Sequence, residues 1–108
     1  MSDTITLPEL DEELDQRVRL LPPYHVILLN DDDHTFEYVI RMLKQLFGHK
    51  EETGFKMAEE VHRTGRVIVL TTTKEHAELK QDQIHAFGPD AQLQRCQGSM
   101  SAVIEPAE

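Results

Sequence analysis

The sequence has little of what several common functions require. Its single cysteine, Cys96, excludes an internal disulfide and a CxxC metal site, and it fits a reducing compartment. The 11 basic side chains are outnumbered by 20 acidic ones, and the net charge of -9 disfavours binding to nucleic acid or to anionic lipid. No apolar run approaches the roughly 18 residues of a membrane span, and the N-terminus lacks the basic and apolar regions of an export signal. We therefore expect a cytoplasmic protein, and the acidity favours basic or cationic partners.

The 108 residues are enough for one domain. Residues 1–21 carry six acidic side chains, and Pro22-Pro23 then forces an extended segment. We accordingly assign 1–21 to a flexible acidic N-terminal extension and 22–108 to the folded domain.

Hydrophobic periodicity in the folded domain predicts three strands and three helices. We predict a strand at 24–29, a helix from about 34 or 35 to 47, a helix at 51–64, a strand at 66–71, a helix from 73 to the Gly88-Pro89 pair, and a strand at 100–104. The order β-α-α-β-α-β favours an α+β domain, in which helices cover one face of a small sheet.

Details of three segments support these assignments. The second helix places Phe55, Ala58, Val61 and His62 on one core-facing stripe. The continuous apolar core of 66–71 suggests a strand with a neighbour on each side. Thr72 and Glu75 have the spacing of a capping box, which predicts the start of the third helix.

A cluster of oxygen-bearing side chains, Asn30 to Asp33, lies between the first strand and the first helix. Helix capping and turn formation are its simplest interpretation. An EF-hand loop requires glycine at its sixth position and glutamate at its twelfth, but counting from Asp31 these are Phe36 and Met42. No HExxH, GxSxG, P-loop or GxGxxG motif occurs. A metal held by Asp31, His34 and His62 stays open as an alternative.

His62 can be read as a core-edge residue, or as a third acceptor beside this cluster if the first two helices pack as a hairpin. Asn30, Asp31 and His62 would then offer three acceptors, which matches the three donors of an ammonium group. Phe36, Val39 and Val61 would line an apolar hole beside them, although Val39 and Val61 can equally be ordinary core residues.

The sequence resembles the ClpS family of Clp protease adaptors. The resemblance rests on five segments in family order, namely Leu28-Leu29-Asn30-Asp31-Asp32, Glu37-Tyr38-Val39-Ile40, Val61-His62-Arg63-Thr64-Gly65, residues 73–80, and Ile104-Glu105-Pro106-Ala107. It covers about residues 24–107. It implies a three-stranded antiparallel sheet with three helices, and a non-enzymatic adaptor that delivers substrates with destabilising N-terminal residues to a Clp unfoldase-protease.

The resemblance also implies roles for individual residues. Asn30, Asp31 and His62 would bind the substrate's α-amino group, and Asp32 and His34 would belong to the supporting loop. A hydrophobic pocket for a large apolar first residue (Phe, Tyr, Trp or Leu) would be lined by Phe36, Val39, Leu43, Ala58, Val61 and Met100. Glu75 and Lys80 match the motif that docks the N-terminal domain of a ClpA- or ClpC-type unfoldase, which the N-terminal extension would also engage during delivery. We expect a monomer without cofactors or bound metal.

One segment departs from the family pattern. The chain has Asp33-His34-Thr35-Phe36 where the family usually has Tyr-Thr-Pro-Met, so His34 replaces the usual Thr cap and Phe36 replaces a Met. Phenylalanine is stiffer and bulkier than methionine and Ala58 is small, which predicts a reshaped pocket.

Two other function classes remain open at this point. One is a small α/β protein-interaction domain without a peptide pocket. A cleft beside His62 would argue against this class. The other is a small metal-dependent enzyme, which bound metal in the purified protein would reveal.

Overall fold

The computed structural model describes residues 21–30, 34–89 and 98–107. Its elements are β1 (Tyr24–Leu29), α1 (Phe36–Phe47), α2 (Glu51–Thr64), β2 (Arg66–Thr72), α3 (Lys74–His85) and β3 (Ala102–Pro106). The strands form an antiparallel sheet in the order β2-β1-β3. The predicted order and the α+β fold class are confirmed. Nearly all of the predicted N-terminal extension, residues 1–20, lies outside the described part of the chain.

The central strand is β1, because both other strands pair with it. Val26, Ile27 and Leu28 are accordingly all buried. The prediction that 66–71 has a neighbour on each side is wrong for the described residues, where β2 pairs with β1 alone. Ile68 on β2 is 45% exposed. An unbroken apolar run therefore marked an edge strand here, and only strand pairing could reveal which strand is central.

The helices pack on one face of the sheet and form the core with it. Val26 and Leu28 of β1 belong to the same buried cluster as Tyr38, Met42 and Leu43 of α1. From α3 the cluster takes Ala77 and Ile84. Among the described residues, none of the three helices is both long and apolar enough to cross a bilayer.

The opposite sheet face has its own buried residue, Ile27, which is only 1% exposed. Ile27 pairs laterally with Ile68 and Val103, so the three side chains share that face. Arg66 of β2 donates a hydrogen bond to Glu105 of β3 (3.0 Å), although the two strands are not neighbours. Arg66 pairs with Leu29 and Glu105 with His25, so the ion pair spans β1 at the level of Ile27 and contributes to the burial of this isoleucine on the face that the described helices do not cover.

Hydrogen bonds at the helix ends refine two predicted boundaries. Thr35 caps α1 by accepting from the Tyr38 N–H (3.2 Å), so the helix begins at Phe36 and a threonine remains the cap one residue after His34. Thr73 caps α3 by accepting from the His76 N–H (3.3 Å). The capping box of Thr72 and Glu75 is therefore wrong, because Thr72 pairs with Tyr24 as the last residue of β2.

The last strand lies two residues later than predicted. Pairing of Tyr24 with Pro106 extends β3 to the proline, which an edge strand tolerates. Met100 precedes the strand but is buried in the core, as its predicted inward orientation requires. The alternating pattern thus identified the inward residues correctly and misplaced both ends of the strand by two residues.

Candidate functional site

Backbone hydrogen bonds attach the end of β1 to the end of α2 on one side and to the residue before β3 on the other. The Asn30 N–H donates to the Gly65 carbonyl (3.0 Å), and the Leu29 N–H donates to the Ser101 carbonyl (3.0 Å). Gly65 ends α2 in the left-handed region, with φ of 95°. His62 lies in the last turn of this helix. The fold therefore brings exposed Asn30 to the helix end that carries exposed His62.

The other predicted members of the acidic cluster, Asp31 and Asp32, lie outside the described residues. The alternative metal site of Asp31, His34 and His62 is described only in part, because Asp31 is one of its three residues. Within the described ranges, no three His, Cys, Asp or Glu side chains are grouped so that they could hold a metal ion. The part of the cluster that the structure describes thus offers hydrogen-bond acceptors, an amide oxygen and an imidazole.

Phe36 links the start of α1 to this site. Its ring meets the His62 ring edge-on with 5.6 Å between centroids. It also meets the Phe55 ring edge-on, with 5.9 Å between centroids. Phe36 is half-buried, so an aromatic surface lies directly beside the His62 imidazole.

Phe55 is a residue whose place in the site the sequence did not reveal. The helical stripe predicted it as a core-facing residue, yet 47% of its surface is exposed. Its signal was available in the spacing, because Phe55 and His62 are seven residues, or about two turns, apart on α2. The stripe shows which residues of α2 share a face. It does not show which of them α1 buries and which, like Phe55, stay partly exposed.

The predicted hydrophobic pocket residues come together in the structure. Val39, Leu43, Ala58, Val61 and Met100 all belong to the buried core cluster, each at most 4% exposed, and Phe36 packs against it. Leu43 is the most deeply buried of these five residues, with 0% of its surface exposed. The proximity is thus observed, whereas the pocket-lining role of these residues stays a prediction.

His34 connects the start of α1 to the segment before β3. Its Nε2 lies 2.8 Å from the Gly98 carbonyl oxygen, and its ring centroid is 4.4 Å from that of Tyr38. The Tyr38 hydroxyl donates to the Gly88 carbonyl (2.5 Å), and the Gly88 N–H donates to the Ser99 Oγ (2.6 Å). His34 and Tyr38 therefore tie the residues on both sides of 90–97 to α1.

The two predicted unfoldase-docking residues lie in different environments on α3. Glu75 is exposed in the first turn. It borders a groove of about 840 Å³, which is lined by Leu21, Pro22, Pro23, Tyr24, Thr72, Thr73, Lys74 and Glu75. Lys80 is half-buried, because its ammonium donates to the Leu46 carbonyl near the end of α1 and lies 5.4 Å from the Phe47 ring centroid.

Comparison with known proteins gives one consistent result. The family model described as ATP-dependent Clp protease adaptor protein ClpS matches residues 20–94. A relative named ATP-dependent Clp protease adapter protein ClpS in Neisseria gonorrhoeae is 34% identical, over 78% of this chain and 83% of its own. A protein of the same name in Nautilia profundicola is 35% identical, over 82% of this chain and 87% of its own.

A solved structure is similar as well. It is Agrobacterium tumefaciens ClpS2 bound to L-phenylalaninamide, with a TM-score of 0.69 and 30% sequence identity. The similarity covers 80% of this chain and 98% of that one.

Proposed function

The chain belongs to the ClpS family, whose members are adaptors of the ATP-dependent Clp protease and not catalytic enzymes, and on this premise we propose how it selects substrates. It binds the free N-terminal amine and the large hydrophobic first residue of a substrate protein. The observation that carries this proposal is the contact between the His62 and Phe36 rings beside Asn30. An acceptor for a charged amine and an apolar surface for the adjoining side chain are thereby adjacent.

The amine end of the site is built from acceptors. An ammonium group has three donors and no acceptor, so three acceptors satisfy it. Asn30 supplies an amide oxygen and His62 a ring nitrogen, and we assign the third position to Asp31. Asp32 and His34 support this loop, and the bond from His34 to Gly98 is consistent with that role.

The side-chain end of the site is apolar. We assign its lining to Phe36, Val39, Leu43, Ala58, Val61 and Met100, which the fold gathers into one cluster. The ligand of the similar ClpS2 structure, L-phenylalaninamide, combines a free α-amine with a benzyl side chain. That chemistry supports aromatic and large aliphatic first residues as the preferred class for this chain.

Delivery requires a second surface. We assign Glu75 and Lys80 to docking of the N-terminal domain of a ClpA- or ClpC-type unfoldase. Glu75 is exposed and available for a direct contact, whereas the Lys80 ammonium is held by the Leu46 carbonyl. Lys80 thus contributes by fixing α3 against α1 or by releasing this bond when the partner binds. The protein acts as a monomer in this proposal.

The test is a titration of peptides that begin with phenylalanine, identical except that one set is acetylated at the N-terminus. Acetylation removes the charge and two of the amine's donors, so binding of the free peptide alone is expected. Asp31→Ala should weaken binding of the free peptide by about 1.5–3 kcal/mol, the range for a hydrogen bond to a charged group. Asp82→Ala removes an exposed carboxylate from α3 and should leave binding unchanged.

Equal binding of both peptides would contradict amine recognition. Absence of binding by either would instead favour an interaction domain without a peptide pocket.

A further inference from the structure

Phe55 is a half-exposed aromatic residue at the border of the proposed peptide site. Its ring contacts Phe36 edge-on, and Phe36 in turn contacts His62 edge-on. Phe55 and His62 lie about two turns apart on one face of α2. The Phe36 ring, which comes from α1, therefore contacts two rings of α2 that lie about two turns apart.

Ala58 is a small residue on the same stretch of α2. It lies three residues after Phe55 and four before His62, so it belongs to the same face between the two rings. Its side chain is a single methyl group and is buried. A methyl group at this position fills less volume than a larger side chain would, and Phe36 packs against the core cluster that contains Ala58.

We infer that Phe55 is a positioning residue for substrate selectivity, which it exerts by holding the Phe36 ring across the entrance of the first-residue pocket. The inference rests on the proposed function, in which His62 binds the substrate amine. The Cα and Cβ of the first residue are one and two bonds from that amine, so they lie nearest to the ring that contacts His62. A first side chain branched at Cβ meets the Phe36 ring, whereas one branched at Cγ has already passed it.

Removing the Phe55 ring leaves the Phe36 ring in contact with His62 and the core cluster but without one of its two aromatic neighbours. The ring can then turn towards the vacated position, and the entrance widens beside the amine site. An aromatic pair of this geometry contributes a free energy equivalent to about a 2- to 10-fold change in an equilibrium constant. Because 47% of the Phe55 surface is exposed, its removal leaves little buried cavity, and the change falls on selectivity more than on folding.

The test uses two peptides that differ only in their first residue, leucine or isoleucine. These residues are isomers, and they differ in the position of the branch. Dissociation constants are measured by fluorescence anisotropy for the unmodified protein, Phe55→Ala, Phe55→Tyr and Leu79→Ala. Leu79 is an equally exposed apolar residue (50%) on α3 and serves as the control.

We expect the unmodified protein to bind the leucine peptide more tightly, and we expect Phe55→Ala to reduce this preference by about 2- to 10-fold. Phe55→Tyr keeps the ring and should retain the preference, as should Leu79→Ala. If Phe55→Ala is poorly folded by circular dichroism, Phe55→Gln removes the ring while keeping a helix-forming side chain.

The possible failures are distinguishable. An unmodified protein that binds neither peptide overturns the proposed function and this inference together. One that binds both peptides equally well overturns the inference alone, as does a Phe55→Ala protein whose preference is unchanged. A loss of preference in Phe55→Tyr as large as that in Phe55→Ala also overturns it, because the ring is present in Phe55→Tyr.

Discussion

Gly54 of α2 packs against Ile40 of α1. Replacing Gly54 with alanine should stabilise the protein. A Cβ built on Gly54 would lie 3.5 Å from both the Cα and the Cγ2 of Ile40, which is an ordinary van der Waals contact. Glycine inside a helix costs about 0.8–1.0 kcal/mol relative to alanine. Gly54→Ala should therefore raise the free energy of unfolding by about 1 kcal/mol. Alanine has the higher helix propensity, and its Cβ fits without displacing Ile40.

Larger side chains at the same position should have the opposite effect. Gly54→Val adds two methyl groups beyond the Cβ, and these must displace Ile40 in the contact between the helices. Overpacking of this kind costs about 1–3 kcal/mol, which exceeds the gain in helix propensity. The sign of the effect therefore changes between alanine and valine.

Urea unfolding followed by circular dichroism measures both variants against the unmodified protein. Gly48→Ala is the matched control, because its Cβ would meet nothing within 4 Å but its φ of 73° strains any side chain. It should lose about 1–2 kcal/mol despite the open space. A destabilised Gly54→Ala, or a Gly54→Val as stable as Gly54→Ala, would refute the packing argument for α1 and α2.

Three further predictions concern the site and its surroundings. His62→Ala should weaken binding of a phenylalanine-initiated peptide by about 1.5–3 kcal/mol in calorimetry, and unchanged affinity would remove His62 from the amine site. Tyr38→Phe deletes the hydroxyl that donates to the Gly88 carbonyl and should cost about 0.5–1.5 kcal/mol in urea unfolding; a stability equal to that of the parent would deny this bond a stabilising role. A double-mutant cycle of Arg66→Ala and Glu105→Ala should give a coupling of about 0.2–1 kcal/mol that falls with added salt, as for other exposed ion pairs, and a salt-independent coupling would contradict an electrostatic origin.

The agreement between sequence and structure is closest where local chemistry dictates the backbone. The bounds of α2 were predicted to the residue, because acidic residues begin it and Gly65 ends it in a left-handed conformation. The bounds of β1 follow in the same way from an apolar run between Pro23 and Asn30. Capping was less predictable, since Thr72 and Thr73 are equally suitable caps and the pairing of Thr72 with Tyr24 decided between them.

The candidate site divides in the same manner. Residue types and their order indicated the ClpS family, and they predict Asn30, Asp31 and His62 as acceptors for an ammonium group, because donor and acceptor chemistry belongs to individual side chains. That assignment stays a prediction. The contacts of Phe36 with His62 and with Phe55, and the bond from Asn30 to Gly65, join residues far apart in the chain. Such contacts depend on how α1 crosses α2 and on which strand is central. Periodicity gives the buried face of each element. Only tertiary packing decides which faces meet and which residues of a face stay exposed at the edge of the contact.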